Sequence, residues 1–405
     1  MYQDFPFTIR EVADLLGLHI RHKNAVSLDA DCPFCGERKG KLNLNLKKNV
    51  FKCNRCGESG GMLALYGKIY GLDNQTACRE IKEALGRNEQ APAYEVRHKA
   101  VKPVEEPEVI TLEQAADDVK HKTYTMLLNL LTLSQVHKEG LIKRGFTEDQ
   151  IIKNGYKSTP VFGFRSIAKK LQMSGCVLEG VPGFYEEDTG EWTIHFTAKS
   201  SGFLVPVRNV DGFIVGMQIR LDHPYDGRKY MWLSSVNYNK GTSSGSPTHL
   251  AGNLGAKTIF VTEGPLKGDL AFAISGRTFG CVPGANQYAN LPPFLSEMKE
   301  YGTEFVYEAY DMDKLLKTVC RGDYNEKCVY CEQYRKDWRN TTIPCEKKQI
   351  KRNNIQRGCS KLAGVCQELS LPCKMLTWDT DFEGDWAEHV KGVDDYLVDL
   401  EQKKK

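Results

Sequence analysis

The chain has 405 residues, 41% hydrophobic and 26% charged, with a formal net charge of +3. That length supplies cores for two or three domains, and the near-balanced charge confines any nucleic-acid footprint to a local patch. No stretch reaches the apolar length that spans a bilayer, and the start Met1–Phe7 lacks the basic-then-apolar pattern of a secretory signal, so a cytoplasmic protein without a membrane partner is expected. Fourteen cysteines in such a chain point to a reducing compartment, where closely spaced cysteines hold metal rather than pair.

Residues 8–17 pattern as a short amphipathic helix, with Thr8 as N-cap, Glu11 at the capping-box position and Gly17 as stop. Cys32-Pro33-Phe34-Cys35 and Cys53-Asn54-Arg55-Cys56 follow, two knuckles each closed by a glycine. Four thiolates at this spacing can converge on one tetrahedral ion and leave no open coordination position, which specifies a structural zinc site. Between them the alternating run Leu42–Leu46 predicts a half-buried strand. Arg38, Lys39, Lys41, Lys47, Lys48 and Lys52 make this stretch a basic ribbon suited to phosphates. Helical patterning resumes at 62–66 and 81–85, which places a zinc-binding domain at residues 1–87. Pro92, Pro103 and Pro107 mark a charged linker at 88–110.

Residues 112–137 are helical in pattern, and Thr147 with Gln150 forms a second capping box. Strands are predicted at Trp192–Phe196, Gly202–Val207 and Phe213–Leu221, the last two joined through Asp211-Gly212. Residues 111–251 thus read as a mixed α/β subdomain. From Lys257 strands and helices alternate, which predicts an α/β domain with a central parallel sheet over 252–400. The fold class is multidomain, α+β and α/β, behind a zinc ribbon.

The last domain carries acidic groups at the ends of its predicted strands. Thr258–Thr262 ends at Glu263-Gly264, and Glu304–Tyr310 runs into Asp311-Met312-Asp313. Lys374–Trp378 precedes Asp379, Asp381 and then Asp394-Asp395. Open α/β sheets place their chemistry at that edge, and residues i and i+2 of an extended segment face one side. Clustered carboxylates need a cation, and Mg²⁺ or Mn²⁺ prefers oxygen ligands. Two such ions could clamp the attacking and leaving oxygens of a phosphoryl transfer. No G-x-x-x-x-G-K-[ST] loop is present, so an ATP-driven motor is not expected. A Cys-rich insert spans 314–360, where Cys328, Cys331, Cys345 and Cys359 read either as a second zinc site or as free thiols. Cys366 and Cys373 are expected in the α/β core.

Cys-Pro-Phe-Cys…Phe-Lys-Cys-Asn-Arg-Cys-Gly-Glu-Ser-Gly-Gly resembles the CHC2-like zinc-binding domain of DnaG-type primases, with Cys35 where that family usually has histidine. Phage primases show a similar four-cysteine form. Arg144-Gly145-Phe146 with Gly155-Tyr156, Leu204–Asn209 with Gln218-Ile219-Arg220, and Arg228-Lys229-Tyr230 resemble successive stretches of the primase RNA-polymerase domain. Glu263-Gly264, Asp311-x-Asp313 and the later Asp pair resemble a TOPRIM domain. The similarity follows the family's own order along most of the chain. Glu263–Asp269 departs from the primase "EGYMD" toward an EG-x-LK form of phage and mobile-element proteins, and His249 stands where a basic position is expected.

The resemblance implies a DNA primase, a nucleotidyltransferase making short RNA primers on single-stranded DNA from ribonucleoside triphosphates, for a mobile element or phage. A replicative helicase would be supplied in trans. Asp311 and Asp313 would ligate Mg²⁺ or Mn²⁺, and Glu263 would join them or accept the proton of the attacking 3′-hydroxyl. Asp394 and Asp395 would complete the acidic corner, with Asp379 and Asp381 as competitors. Arg144, Arg208, Arg220, Lys229 and Lys267 would grip template or triphosphate, and Phe51 would stack on bases. A TOPRIM-type nuclease using the same carboxylates and a non-catalytic zinc-dependent DNA-binding replication protein are the alternatives.

Overall fold

The computed structural model describes residues 5–70, 72–85, 87, 112–225, 228–319 and 345–403. It divides at residue 107 into two units, Met1–Pro107 and Glu108–Lys405. The expected linker lies outside the described residues, as do Cys328 and Cys331.

In the first unit Thr8 and Glu11 form the expected capping box on α1 (Ile9–Leu15), which buries Ile9, Val12 and Ala13. Five short strands follow: β1 (Ile20–Lys23), β2 (Ser27–Ala30), β3 (Leu42–Asn45), β4 (Val50–Cys53) and β5 (Ser59–Gly61). They pair antiparallel in chain order. Period-two alternation buries Leu42 and Leu44 completely and leaves Asn43 and Asn45 toward the outer face. Helices α2 (Met62–Tyr70) and α3 (Asn74–Ala84) complete the unit, with α2 packed on β4 and β5.

The second unit opens differently from expectation. Residues 112–116 are not helical, and the pattern across 112–137 splits into α4 (Asp117–Leu130) and α5 (Gln135–Arg144). Ser134 restarts the helix by accepting a hydrogen bond from the His137 amide. Then come α6 (Glu148–Asn154), β6 (Lys157–Ser158), α7 (Phe164–Met173), β7 (Phe184–Glu186), β8 (Trp192–Ile194), β9 (Gly202–Arg208), β10 (Ile214–Tyr225) and β11 (Arg228–Trp232). Strands β11-β10-β9-β6 form an antiparallel sheet. The Asp211-Gly212 turn is realised: Gly212 takes φ 81°, and the Asn209 amide donates to the Phe213 carbonyl at 3.0 Å. Tyr124, Leu127 and Leu128 of α4 share a core with Leu204, Met217 and Ile219 of this sheet.

The second sheet has the order β12-β14-β13-β15-β16, from β12 (His249–Ala251), β13 (Thr258–Glu263), β14 (Thr278–Val282), β15 (Phe305–Glu308) and β16 (Cys373–Met375). All its pairings are parallel except β12 with β14. Both faces are covered, as a β-branched run demands. Ile259 and Val261 face α9 (Leu291–Glu300) and α10 (Glu346–Glu368). Phe260 faces α8 (Pro265–Ser275) and α11 (Val393–Lys403). Cys366 is buried as expected, whereas Cys373 is exposed because it lies on the edge strand β16. The two sheets are locked together by Leu141, Phe146, Tyr156 and Val205 against Leu266 and Leu270 of α8. Among the described residues no helix is long and apolar enough to cross a membrane.

Candidate metal centres

The zinc knuckles grow out of strand ends. The Cys32 amide donates to the Glu37 carbonyl at 2.8 Å and the Cys53 amide to that of Glu58 at 2.7 Å, two matching turns. Gly36 and Gly57 close them at φ 64° and 77°, a left-handed conformation that glycine adopts without a steric cost. The four buried sulfurs lie within 4.8 Å of one another, with Cys32–Cys56 at 3.8 Å and Cys35–Cys53 at 4.0 Å. Zn–S bonds of about 2.3 Å at tetrahedral angles require sulfurs about 3.8 Å apart, so the cage fits zinc. Hydrogen bonds among the four thiols lower Cys53 and Cys56 and raise Cys32 and Cys35. Phe51, expected to stack on bases, is instead 2% exposed and stacked on Phe34 at 5.5 Å, because its strand position points into the core. Arg38, Lys39, Lys47, Lys48 and Lys52 are exposed, while Lys41 is half-buried.

The acidic groups converge in the second unit. Glu263 is the last residue of β13, and its Oε2 accepts from the Ala285 amide at 3.3 Å. Strand β15 stops at Glu308, and Met312–Leu315 form a 3₁₀ turn, so Asp311 and Asp313 are not related by an extended backbone as anticipated. They are nevertheless brought to one cation: Lys391 Nζ lies 2.9 Å from Asp311 Oδ2 and 3.0 Å from Asp313 Oδ2. Lys267 pairs with Asp311 Oδ1, and Lys351 Nζ lies 3.3 Å from Asp313 Oδ2. Asp394 is fully buried at the start of α11 and takes a 2.7 Å bond from Arg144, while Asp395 is exposed. Glu263 Oε1, Asp313 Oδ1 and Asp394 Oδ1 are buried without a hydrogen-bond partner.

Charge explains the protonation here. Burial, then the charges of Asp311 and Asp313, push Glu263 up to about 7. Burial opposes ionisation of Asp311 too, yet Lys267 and Lys391 hold it below its ordinary value. Burial raises Asp394 against the pull of Lys267 and Arg144. Among the described residues the four cysteines are the only set of three or more ligating side chains whose donor atoms lie within 4.8 Å of one another. The carboxylates do not close to that distance, and Lys391 spans Asp311 and Asp313 instead. Buried, unpaired carboxylate oxygens are nonetheless the donor set that suits a hard divalent ion.

Asp379 and Asp381 do not compete for this pocket. Asp379 Oδ2 accepts from Trp386 Nε1 and from the His389 and Val390 amides, each at 2.8 Å, and Asp381 pairs with Lys317 at 2.7 Å. They tie down the loop that delivers Lys391. That lysine and Lys351 escaped sequence reasoning, since a lone lysine in a charged stretch has no local signature.

The predicted gripping residues are scattered by the fold. Arg208 donates to the Asn154 carbonyl at 3.1 Å, and its amide donates to His249 Nδ1 at 2.9 Å. His249 Nε2 then bonds Asp269 at 2.9 Å, and Asp269 accepts from the Tyr156 hydroxyl at 2.7 Å. The expected basic position is therefore a buried link between the two sheets. Arg220 packs over the Tyr230 ring at 5.1 Å and donates to the Lys229 carbonyl, with the Lys229 side chain exposed. Arg208 stands opposite Ile214, so it and Arg220 are about 20 Å apart along β10 and do not share a phosphate. Cys345 caps α10 and Cys359 lies within it, about 21 Å further along the axis, so these two do not share one ion; Cys328 and Cys331 lie outside the described residues.

Residues 8–96 match the family model of the CHC2 zinc finger, the zinc ribbon of DnaG. The DNA primase of Lactococcus lactis subsp. lactis (strain IL1403) is 21% identical over 243 residues, 55% of this chain and 34% of the relative. The DNA primase of Listeria monocytogenes serovar 1/2a (strain ATCC BAA-679 / EGD-e) is 22% identical over 230 residues, 55% and 35%. The chain thus spans about a third of the length of the curated relatives it matches. Among solved structures, the Aquifex aeolicus primase (zinc binding and RNA polymerase domains) aligns at 15% identity over 84% of this chain and 82% of that one, with a TM-score of 0.34. The RNA polymerase domain of Mycobacterium tuberculosis primase DnaG aligns at 15% identity over 62% and 94%, with a TM-score of 0.38. Residues 8–96 carry a CHC2 zinc finger, in a chain whose curated relatives are bacterial DNA primases.

Proposed function

We propose that this protein is a DNA primase, joining ribonucleotides into short primers on a single-stranded DNA template. The observation that carries the reading is the meeting of Glu263, Asp311, Asp313 and Asp394 at the C-terminal edge of a parallel sheet, in a chain that also holds a CHC2 zinc finger. Residues 1–87 act as the zinc domain, 111–251 as the polymerase subdomain and 252–400 as a TOPRIM domain. Glu263, Asp311, Asp313 and Asp394 hold Mg²⁺ or Mn²⁺, which when bound supplies stabilisation of the charge that develops on phosphoryl oxygens. Arg144 and the lysines hold the neighbouring carboxylates in place. The exposed lysines of the zinc unit contact template phosphates, and a helicase is supplied by another chain.

The test is incorporation of labelled ribonucleotides on single-stranded DNA with and without Mg²⁺. Primers should form only with the ion, and Asp311→Ala should lower their yield by at least a hundredfold while DNA binding is retained. Absence of product in the wild type, with Mg²⁺-dependent cutting of plasmid DNA instead, would replace the primase reading with the nuclease one.

A further inference from the structure

Four carboxylates meet in the acidic pocket, and the ammonium groups of Lys267, Lys391 and Lys351 face them, the first two held in different ways. Lys267 rises from the first turn of α8, close behind Glu263, and its side chain is 15% exposed. Its charge acts on Asp311, Asp394 and Glu263 together. Gly392 closes its far side: a Cβ there would stand 3.5 Å from Lys267 Cε and 2.5 Å from Asp394 Oδ1. Lys391 is 43% exposed and is anchored through its backbone, whose carbonyl accepts from the Met312 amide at 2.9 Å. Its ammonium bridges Asp311 and Asp313, where an ion shared by those two carboxylates would compete with it.

We propose that Lys267 is a built-in cation that substitutes for one of two divalent ions, so the pocket takes a single ion, and that Lys391 is the side chain that yields its place to that ion. This rests on the divalent-metal reading above and narrows it. A fixed ammonium on Asp311 and a second metal ion on the same carboxylate repel at contact distance, in surroundings where burial weakens screening. The oxygens left for the single ion are those without a partner, Glu263 Oε1, Asp313 Oδ1 and Asp394 Oδ1, together with Asp311 Oδ2 once Lys391 withdraws. The two-ion clamp that the sequence suggests thus becomes one ion plus an ammonium.

The experiment counts Mn²⁺ bound to the full, zinc-loaded chain, by electron paramagnetic resonance of free Mn²⁺ and by calorimetry. The wild type should bind one ion. Lys267→Met should bind two, Lys267→Arg one, and Lys391→Met one with about tenfold tighter affinity. A wild-type count of two overturns the inference, as does a count of one in a Lys267→Met protein that still melts cooperatively. A count of zero in the wild type removes the divalent-metal reading itself, a different failure from either. If Lys267→Met does not fold, the wild-type count and Lys391→Met decide.

Discussion

Burial and the neighbouring carboxylates move the pKa of Glu263 from 4.5 to about 7. The folded chain holds this proton more tightly than the unfolded one. Its contribution is therefore full below pH 4.5, and stability falls as pH rises from there toward 7. In metal-free protein, Glu263→Gln should flatten that part of the melting-temperature profile and raise the melting temperature at pH 8; an undiminished slope would refute the burial of an unneutralised carboxyl. At the zinc cage, Cys53→Ser leaves three sulfurs and should release the ion, and an unchanged zinc content measured by atomic absorption would exclude the four-cysteine site. The cage was legible because two knuckle spacings fix geometry locally. Lys267 was legible only as a charge, since its partner Asp311 lies 44 positions away.

Helix α8 shows what single elements demand. Gly268 faces β14 so closely that a Cβ would stand 2.0 Å from Cys281 Sγ. Gly268→Ala should destabilise the fold by about 1–3 kcal/mol through overpacking. Adding Cys281→Ala should recover most of the lost melting temperature, and two additive losses would argue against the contact. Strand β13 was readable from its continuous β-branched run and the Asp211-Gly212 hairpin from its turn chemistry, whereas β12 carried no signal in its three residues. The split between α4 and α5 was not, because Leu131 and Leu133 continue the apolar pattern while the backbone turns. The 3₁₀ turn after β15 was hidden in the same way. Sequence placed Asp311 and Asp313 on one side by extension, whereas the fold brings them together by a turn around Lys391. Phe51 was misread because an aromatic on a strand carries no mark of which face it will occupy.

At the scale of the molecule, the zinc cage lies within the first unit and the acidic pocket within the second. Stripping zinc with a chelator should abolish the melting transition of residues 1–107 and leave that of residues 108–405 within about 2 °C, by calorimetry. A single transition shifting as a whole would mean that the units fold as one. The order of zinc ribbon, antiparallel sheet and parallel sheet was recoverable from the sequence. The joining of the two sheets through Tyr156, Asp269, His249 and Arg208 was not, since each link is a buried polar contact between distant stretches. Arg144 and Asp394 extend this theme, meeting across 250 positions. A nick in the intervening chain should therefore leave each half with an orphaned charge that only its other half can quench. Fragments made this way should find each other in solution, and recovered ion uptake would report their reunion.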